Sequence, residues 1–235
     1  MKVIGIEYVF TMEDGRQEFF ELRIGEDSLE LLNRPPESLP DWTRLEFEQC
    51  PCCPLSPSDC PHCPLAVRLS GVVQRFQGIL SYDRVQVEVR TPERSYTVRT
   101  SAQRGISSLM GLISAVSGCP VTARFRPMAR FHLPVATEEE TLYRAFSMYS
   151  LAQFFVTRAG KQVDPGFEGL RRIYEDVHTL NVALMRRIGA VTQTDSPLNA
   201  IVCLDIYARA VPLAIDDTLA GIREWFDALA APATG

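Results

Sequence analysis

Between Cys50 and Cys63 the chain reads Cys-Pro-Cys-Cys-Pro, a short polar spacer, then Cys-Pro-His-Cys-Pro, which puts five of its seven cysteines within fourteen residues. Two C-x-x-C pairs, each followed by proline, fit two tight turns that present thiolates to one ion. Proline at this density excludes a regular helix or strand across the segment. The fold has to be built around an irregular cysteine loop, with the regular elements on either side of it.

Ahead of the loop, Ile4, Ile6, Tyr8 and Phe10 alternate with period two, Asp14-Gly15 supplies a turn, and Phe20, Leu22 and Ile24 alternate on a return strand over 17–24. That pattern predicts a β-hairpin. The proline-rich stretch over 33–42 predicts irregular chain. Past the loop, Leu65, Leu69, Val72, Val73 and Phe76 recur at helical spacing. Val85, Val87 and Val89 then alternate with polar neighbours, and a turn over 91–94 leads to Tyr96 and Val98, a second hairpin. A helix over 102–117 follows, stopped by Gly118 and Pro120.

From Thr137 onward the pattern is helical. Thr137 followed by Glu138, Glu139 and Glu140 fits a capping box, with acidic groups at the positive end of the helix. This helix, running to about Arg158, is apolar nearly all round, which predicts burial on most sides. Helices over 166–188, 198–211 and 216–229 come next, with Pro212 ending or kinking the third. The fold expected is α+β. Antiparallel β-hairpins with helices and a cysteine-rich metal knot occupy residues 1–134, and an antiparallel helical bundle occupies residues 135–235.

The net charge of −5 argues against a broadly basic nucleic-acid-binding surface. Glu7 interrupts the N-terminal apolar residues early, and no run reaches the roughly eighteen uncharged apolar residues of a membrane span. A cytoplasmic location, away from membranes, is the expectation. Thiols stay reduced there, so clustered cysteines point to metal or redox chemistry rather than structural disulfides.

Cys50, Cys53, Cys60 and Cys63 would saturate a tetrahedral zinc ion, leaving no open position for water, so the site would be structural. Cys52 and His62 are alternative ligands. The same cysteines would also suit an iron–sulfur cluster or a dithiol switch. The run Cys-Pro-x-Cys-Pro…Cys-Pro-x-Cys-Pro-Leu-Ala, with Ser117-Gly118-Cys119-Pro120 and the segment from Arg126 to Pro134 downstream, resembles a family of uncharacterised bacterial proteins. The resemblance covers nearly the whole chain. It implies no catalytic residues, because no activity is assigned to that family.

Three further constellations carry possible chemistry. Arg124, Arg126, Arg130 and His132 interleave with Phe125 and Phe131, a pattern that suits a phosphate, a carboxylate or single-stranded nucleic acid or, alternatively, a connector with solvated guanidiniums. Glu175-x-x-His178 has the spacing of carboxylate di-iron bundles but lacks the second pair and the further glutamates those sites need. Asp205 and Arg209, four apart in an apolar run, fit an ion pair that fixes helix register. Cys119 and Cys203 read as packing residues. Phosphate-binding glycine motifs, H-E-x-x-H and G-x-S-x-G are missing from the sequence.

The function expected is therefore that of a non-catalytic zinc-binding protein that engages a protein partner. Its apolar content would also support a homo-oligomer. A redox sensor using the same cysteines is the first alternative. The second is a receptor or enzyme that places Arg124, Arg126, Arg130 or His132 against an anionic ligand.

Overall fold

The computed structural model describes residues 2–230. Strands β1 (Val3–Met12) and β2 (Gln17–Gly25) form the first hairpin, and β3 (Arg84–Arg90) and β4 (Ser95–Ser101) form the second. Gly15 takes φ +84° in the first turn, a conformation without steric cost only for glycine. The hairpins join edge to edge through antiparallel β1–β3 pairing, with Tyr8 opposite Val89 and Phe10 opposite Val87. The result is one four-stranded antiparallel sheet in the order β2-β1-β3-β4.

Seven α-helices are present among the described residues: α1 (Pro64–Arg75), α2 (Ala102–Val116), α3 (Arg126–Arg130), α4 (Glu138–Arg158), α5 (Glu168–Gly189), α6 (Ser196–Gly221) and α7 (Asp227–Ala230). Helix α4 begins as predicted. Thr137 Oγ1 accepts from the Glu140 amide while the Glu140 carboxylate accepts from the Thr137 amide, at 3.2 and 2.7 Å. Pro212 does not end a helix. Instead α6 runs through it as one element, where two helices had been expected, and Arg171 Nη1 donates to the Pro212 carbonyl at 2.9 Å. Packing of Ala208, Val211, Ala214 and Ile215 outweighs the cost of about 3 kcal/mol that an interior proline imposes.

The inner face of the sheet carries Ile6, Tyr8, Phe10, Val87 and Val89, all nearly inaccessible. Helices α1 and α2 cover it with Leu65, Leu69, Phe76, Ile106, Leu109 and Met110. The same core continues past α2 into Leu180, Leu184 and Ile188 of α5 and Ala200 and Ile201 of α6. Helix α2 is thus buried on both sides, between the sheet and α5–α6. A smaller core joins Leu142, Phe146 and Tyr149 of α4 to Leu170 and Tyr174 of α5 and to Val211 of α6.

Two expectations change here. Helix α4 is not buried on most sides: Leu151 is 57% exposed and Phe155 61%, because only its first half packs on the smaller core. The stretch 196–215 of α6 is also long and apolar enough to cross a membrane by length and composition. In this fold its inner face packs into the protein with Asp205 buried on it, and Arg209 stands exposed on the outer side.

Candidate functional site

The cysteine loop is held by backbone bonds to the chain before it. The Cys63 amide donates to the Thr43 carbonyl at 2.7 Å and the Leu45 amide to the Pro61 carbonyl at 2.9 Å. Within the loop, the Cys53 amide donates to the Cys50 carbonyl at 2.9 Å, closing the first C-x-x-C turn. Cys63 then caps α1, with Pro64 in the first helical position. Proline suits that position because the amide it lacks has no intrahelical partner there.

The loop does not gather the predicted four sulfurs. Cys50, Cys53 and Cys63 line one small cavity of about 20 Å³, and Cys119 lines it too. Cys60 is turned away, its thiol donating to the His62 carbonyl at 3.1 Å. Thr43 Oγ1 donates to the Pro40 carbonyl at 2.7 Å, so it accepts from Nδ1 of His62, 2.8 Å away. Cys52 donates to the Asp176 carbonyl on α5 at 3.4 Å. As the side chains lie, no three of His, Cys, Asp and Glu among the described residues stand in metal-holding positions. Burial raises the thiol pKa of Cys50, Cys52 and Cys63, and the neighbouring cysteines push Cys50 further in the same direction.

The group that faces this cavity from α5 has no local sequence signature. Arg187 is only 3% exposed and lines the same cavity. Its guanidinium donates to the carbonyls of Trp42, Arg44 and Leu45 at 2.5, 2.6 and 3.2 Å. The loop that pairs with the cysteine segment is therefore clamped from α5.

The arginine-rich segment comes apart. Arg124 pairs with Asp176 at 2.9 Å and Arg126 with Glu30 at 2.6 Å, while Arg130 lies over the exposed Phe131 ring. Only His132 turns inward, where it hydrogen-bonds to the Tyr8 hydroxyl. His178 pairs with Asp205 across the α5–α6 interface at 2.8 Å rather than with Glu175. Asp205 also accepts from Asn181 at 3.4 Å and faces Arg209 at 3.5 Å, so the register pair is a small network.

His132 forms part of the wall of a much larger cavity, of about 530 Å³, enclosed by α2, the 122–137 segment, the start of α4, α5 and α6. Its lining is mostly apolar, with Leu112, Phe125, Leu133, Val177 and Leu204 among it. Arg144 enters from α4, its Nη2 donating to the carbonyls of Met128 and Phe131 at 2.8 and 3.0 Å. That guanidinium makes no ion pair with a described residue. Ser107 and Tyr174, both buried, present hydroxyls that hydrogen-bond to no other described residue. Tyr207 donates to the Ala136 carbonyl at 3.3 Å, and Arg104 is exposed at the rim. Burial, aided by the nearby Arg144 charge, lowers the His132 pKa to about 3, so the imidazole is neutral. Burial raises the Tyr174 phenol, which stays protonated as a donor.

Sequence reasoning found His132 but not Arg144, Tyr174 or Ser107. Arg144 and Tyr174 sit singly on amphipathic helices with no local motif, and Ser107 lies within the apolar run of α2. For Cys119 there was a signal: Cys119-Pro120 repeats the Cys-Pro dipeptide of the two pairs.

A family model described as a domain of unknown function (DUF6901) matches residues 6–227. This agrees with the resemblance to an uncharacterised family. No curated protein and no solved structure gives a match.

Proposed function

We propose that this protein, which belongs to the DUF6901 family, binds a small amphipathic anion in the cavity between α2, α5 and α6. One observation carries the reading. A cavity of about 530 Å³ with mostly apolar walls brings an Arg144 guanidinium without an ion pair together with the unengaged hydroxyls of Ser107 and Tyr174. A volume of this size suits a drug-sized molecule. The apolar lining favours a hydrocarbon or aryl body, and the guanidinium favours a carboxylate head, which accepts its hydrogen bonds in matching geometry. Neutral His132 adds no charge, so Arg144, with Arg104 at the rim, supplies the cationic character against the single carboxylate of the lining, Glu138.

Thermal unfolding in the presence of straight-chain carboxylates, graded by length, tests the reading. Carboxylates should raise the melting temperature, and the alcohols of equal length should not, since the head group is what Arg144 selects. Arg144→Gln should lose the effect and Arg144→Lys should keep part of it. If no carboxylate or sulfonate raises the melting temperature of the wild-type protein, the proposal fails.

A further inference from the structure

The small cavity beside the cysteine loop points to a regrouped metal centre. We propose that Cys50, Cys53, Cys63 and Cys119 bind one zinc ion as a four-thiolate centre, with Arg187 as its buried counter-charge. Cys60, the ligand that sequence spacing would choose, takes no part.

Three observations meet here. First, these four cysteines, and not Cys60, border the one cavity. Cys119 reaches it because the Gly118 turn, at φ +90°, packs on Pro64; a Cβ placed at Gly118 would lie 3.9 Å from the Pro64 Cβ. The Ser117-Gly118-Cys119-Pro120 break at the end of α2 thereby sits beside the Cys63-Pro64 start of α1. Second, Cys60 and His62 are already committed, Cys60 to a carbonyl and His62 to Thr43. Third, Arg187 borders the same cavity, and no described carboxylate lies within ion-pair distance of it. Carbonyl oxygens satisfy its donors, and Glu48, the carboxylate on the same cavity, stands beyond ion-pair distance, so the buried charge is only partly compensated, which is costly in the interior.

A Zn²⁺ ion with four thiolates carries a net charge of −2, opposite in sign to the Arg187 guanidinium on the same cavity. The cavity of about 20 Å³ exceeds the roughly 10–15 Å³ that a single water needs, so there is room for one ion. The thiols do not yet stand at ligand positions, so the ion would draw them inward by side-chain rotation, each giving up a proton as it binds. The centre would then fasten the cysteine loop, the end of α2 and α5 at one point. It is separate from the carboxylate cavity and stands or falls independently of it.

Elemental analysis of the purified full-length chain, expressed with zinc in the medium, tests the assignment. The wild-type protein should carry one zinc per chain. Cys119→Ser and Cys53→Ser should each lose most of it, and Cys60→Ser should retain it in full. Should Cys119→Ser fail to fold, cobalt-substituted wild-type and Cys60→Ser proteins should give the same visible spectrum, that of a four-sulfur tetrahedral site. Arg187→Met should lose zinc to a competing chelator about 10- to 100-fold more readily than wild type, the usual scale for groups behind metal ligands. A zinc-free wild-type protein, full retention in a folded Cys119→Ser variant, or loss in Cys60→Ser would each overturn the assignment. So would a brown preparation carrying iron in place of zinc.

Discussion

The phenol of Tyr8, at the middle of β1, hydrogen-bonds to Nε2 of His132, 124 residues further along the chain. Tyr8 also meets Ser108 Oγ at 2.9 Å, and that oxygen accepts from the Val135 amide at 2.9 Å. The imidazole tautomer sets the order: with Nε2 unprotonated, Ser108 donates to Tyr8 and Tyr8 to the imidazole, and with Nε2 protonated both bonds reverse. Through this relay the centre of the sheet holds the 131–137 segment in place, and that segment is one wall of the large cavity. The core of the N-terminal half thus shapes a site that lies mainly among the C-terminal helices.

The burial of His132, with the Arg144 charge nearby, fixes a pH dependence. His132 has a folded-state pKa of about 3, against about 6.5 when unfolded. Below pH 6.5 the unfolded chain takes up a proton that the folded protein refuses. Stability from this group is therefore complete above pH 6.5 and is lost as pH falls toward 3, with a slope approaching ~1.4 kcal/mol per pH unit. His132→Gln removes the titrating group. Urea denaturation from pH 7 to pH 4 should show a shallower loss in His132→Gln than in wild type. Parallel curves would show that His132 protonates freely in the fold.

Two helical glycines should respond in opposite directions. A Cβ at Gly105 in α2 would lie 2.8 Å from Val87 Cγ2 and 3.0 Å from Phe10 Cε1, both in the tightest part of the core. Gly71 in α1 has nothing within 4 Å and ordinary helical φ. Gly71→Ala should therefore stabilise the protein by about 0.4–1 kcal/mol through lower unfolded-state entropy. Gly105→Ala should destabilise it by about 1–3 kcal/mol through overpacking, which exceeds the gain in helix propensity. Melting temperatures of the two variants, measured side by side, decide the point.

The strands were legible because burial at period two writes itself into single residues: Ile4, Ile6, Tyr8 and Phe10 point inward and their neighbours outward. The α4 start was legible for a similar reason, since a capping box is complete within four residues. What stayed hidden depends on partners distant in sequence. The Cys119-Pro120 dipeptide marks Cys119 without revealing that it lines a cavity with Cys63, and nothing near Arg187 reveals three carbonyls from the 42–45 loop. C-x-x-C spacing cannot show which way a thiol turns, and the Cys60 thiol turns to the His62 carbonyl. Pro212 misled in the same manner, since its helical continuation is held by packing against α4 and α5. The large cavity has no local signature at all, being the space left where five segments fail to meet.

Asp205 should be the most sensitive polar residue of the α5–α6 interface. It is 5% exposed and receives hydrogen bonds from His178 at 2.8 Å and Asn181 at 3.4 Å. Asp205→Ala leaves the buried Asn181 amide without this partner and should cost about 2–4 kcal/mol. His178→Ala should cost less, because the imidazole is partly solvated and water can replace it at the rim. The ratio of the two losses in urea denaturation checks this ordering, and equal losses would contradict it.

The hydroxyls of Ser107 and Tyr174 allow the clearest separation of stability from binding. Neither has a described protein partner, so the apo protein gains no protein–protein hydrogen bond from either. Ser107→Ala and Tyr174→Phe should therefore leave the unliganded melting temperature unchanged or raise it, as expected where polar groups serve a ligand rather than the fold. Tyr8→Phe gives the contrast: its hydroxyl is fully engaged, and its loss leaves His132 without this hydrogen-bond partner, at a cost of about 1–3 kcal/mol. Carboxylate binding, read by titration calorimetry, should weaken in Ser107→Ala and Tyr174→Phe by the worth of one hydrogen bond, about 0.5–1.5 kcal/mol. If both variants lost stability in the absence of ligand, the two hydroxyls would be part of the packed fold, and the cavity would lose its polar reason to bind an anion.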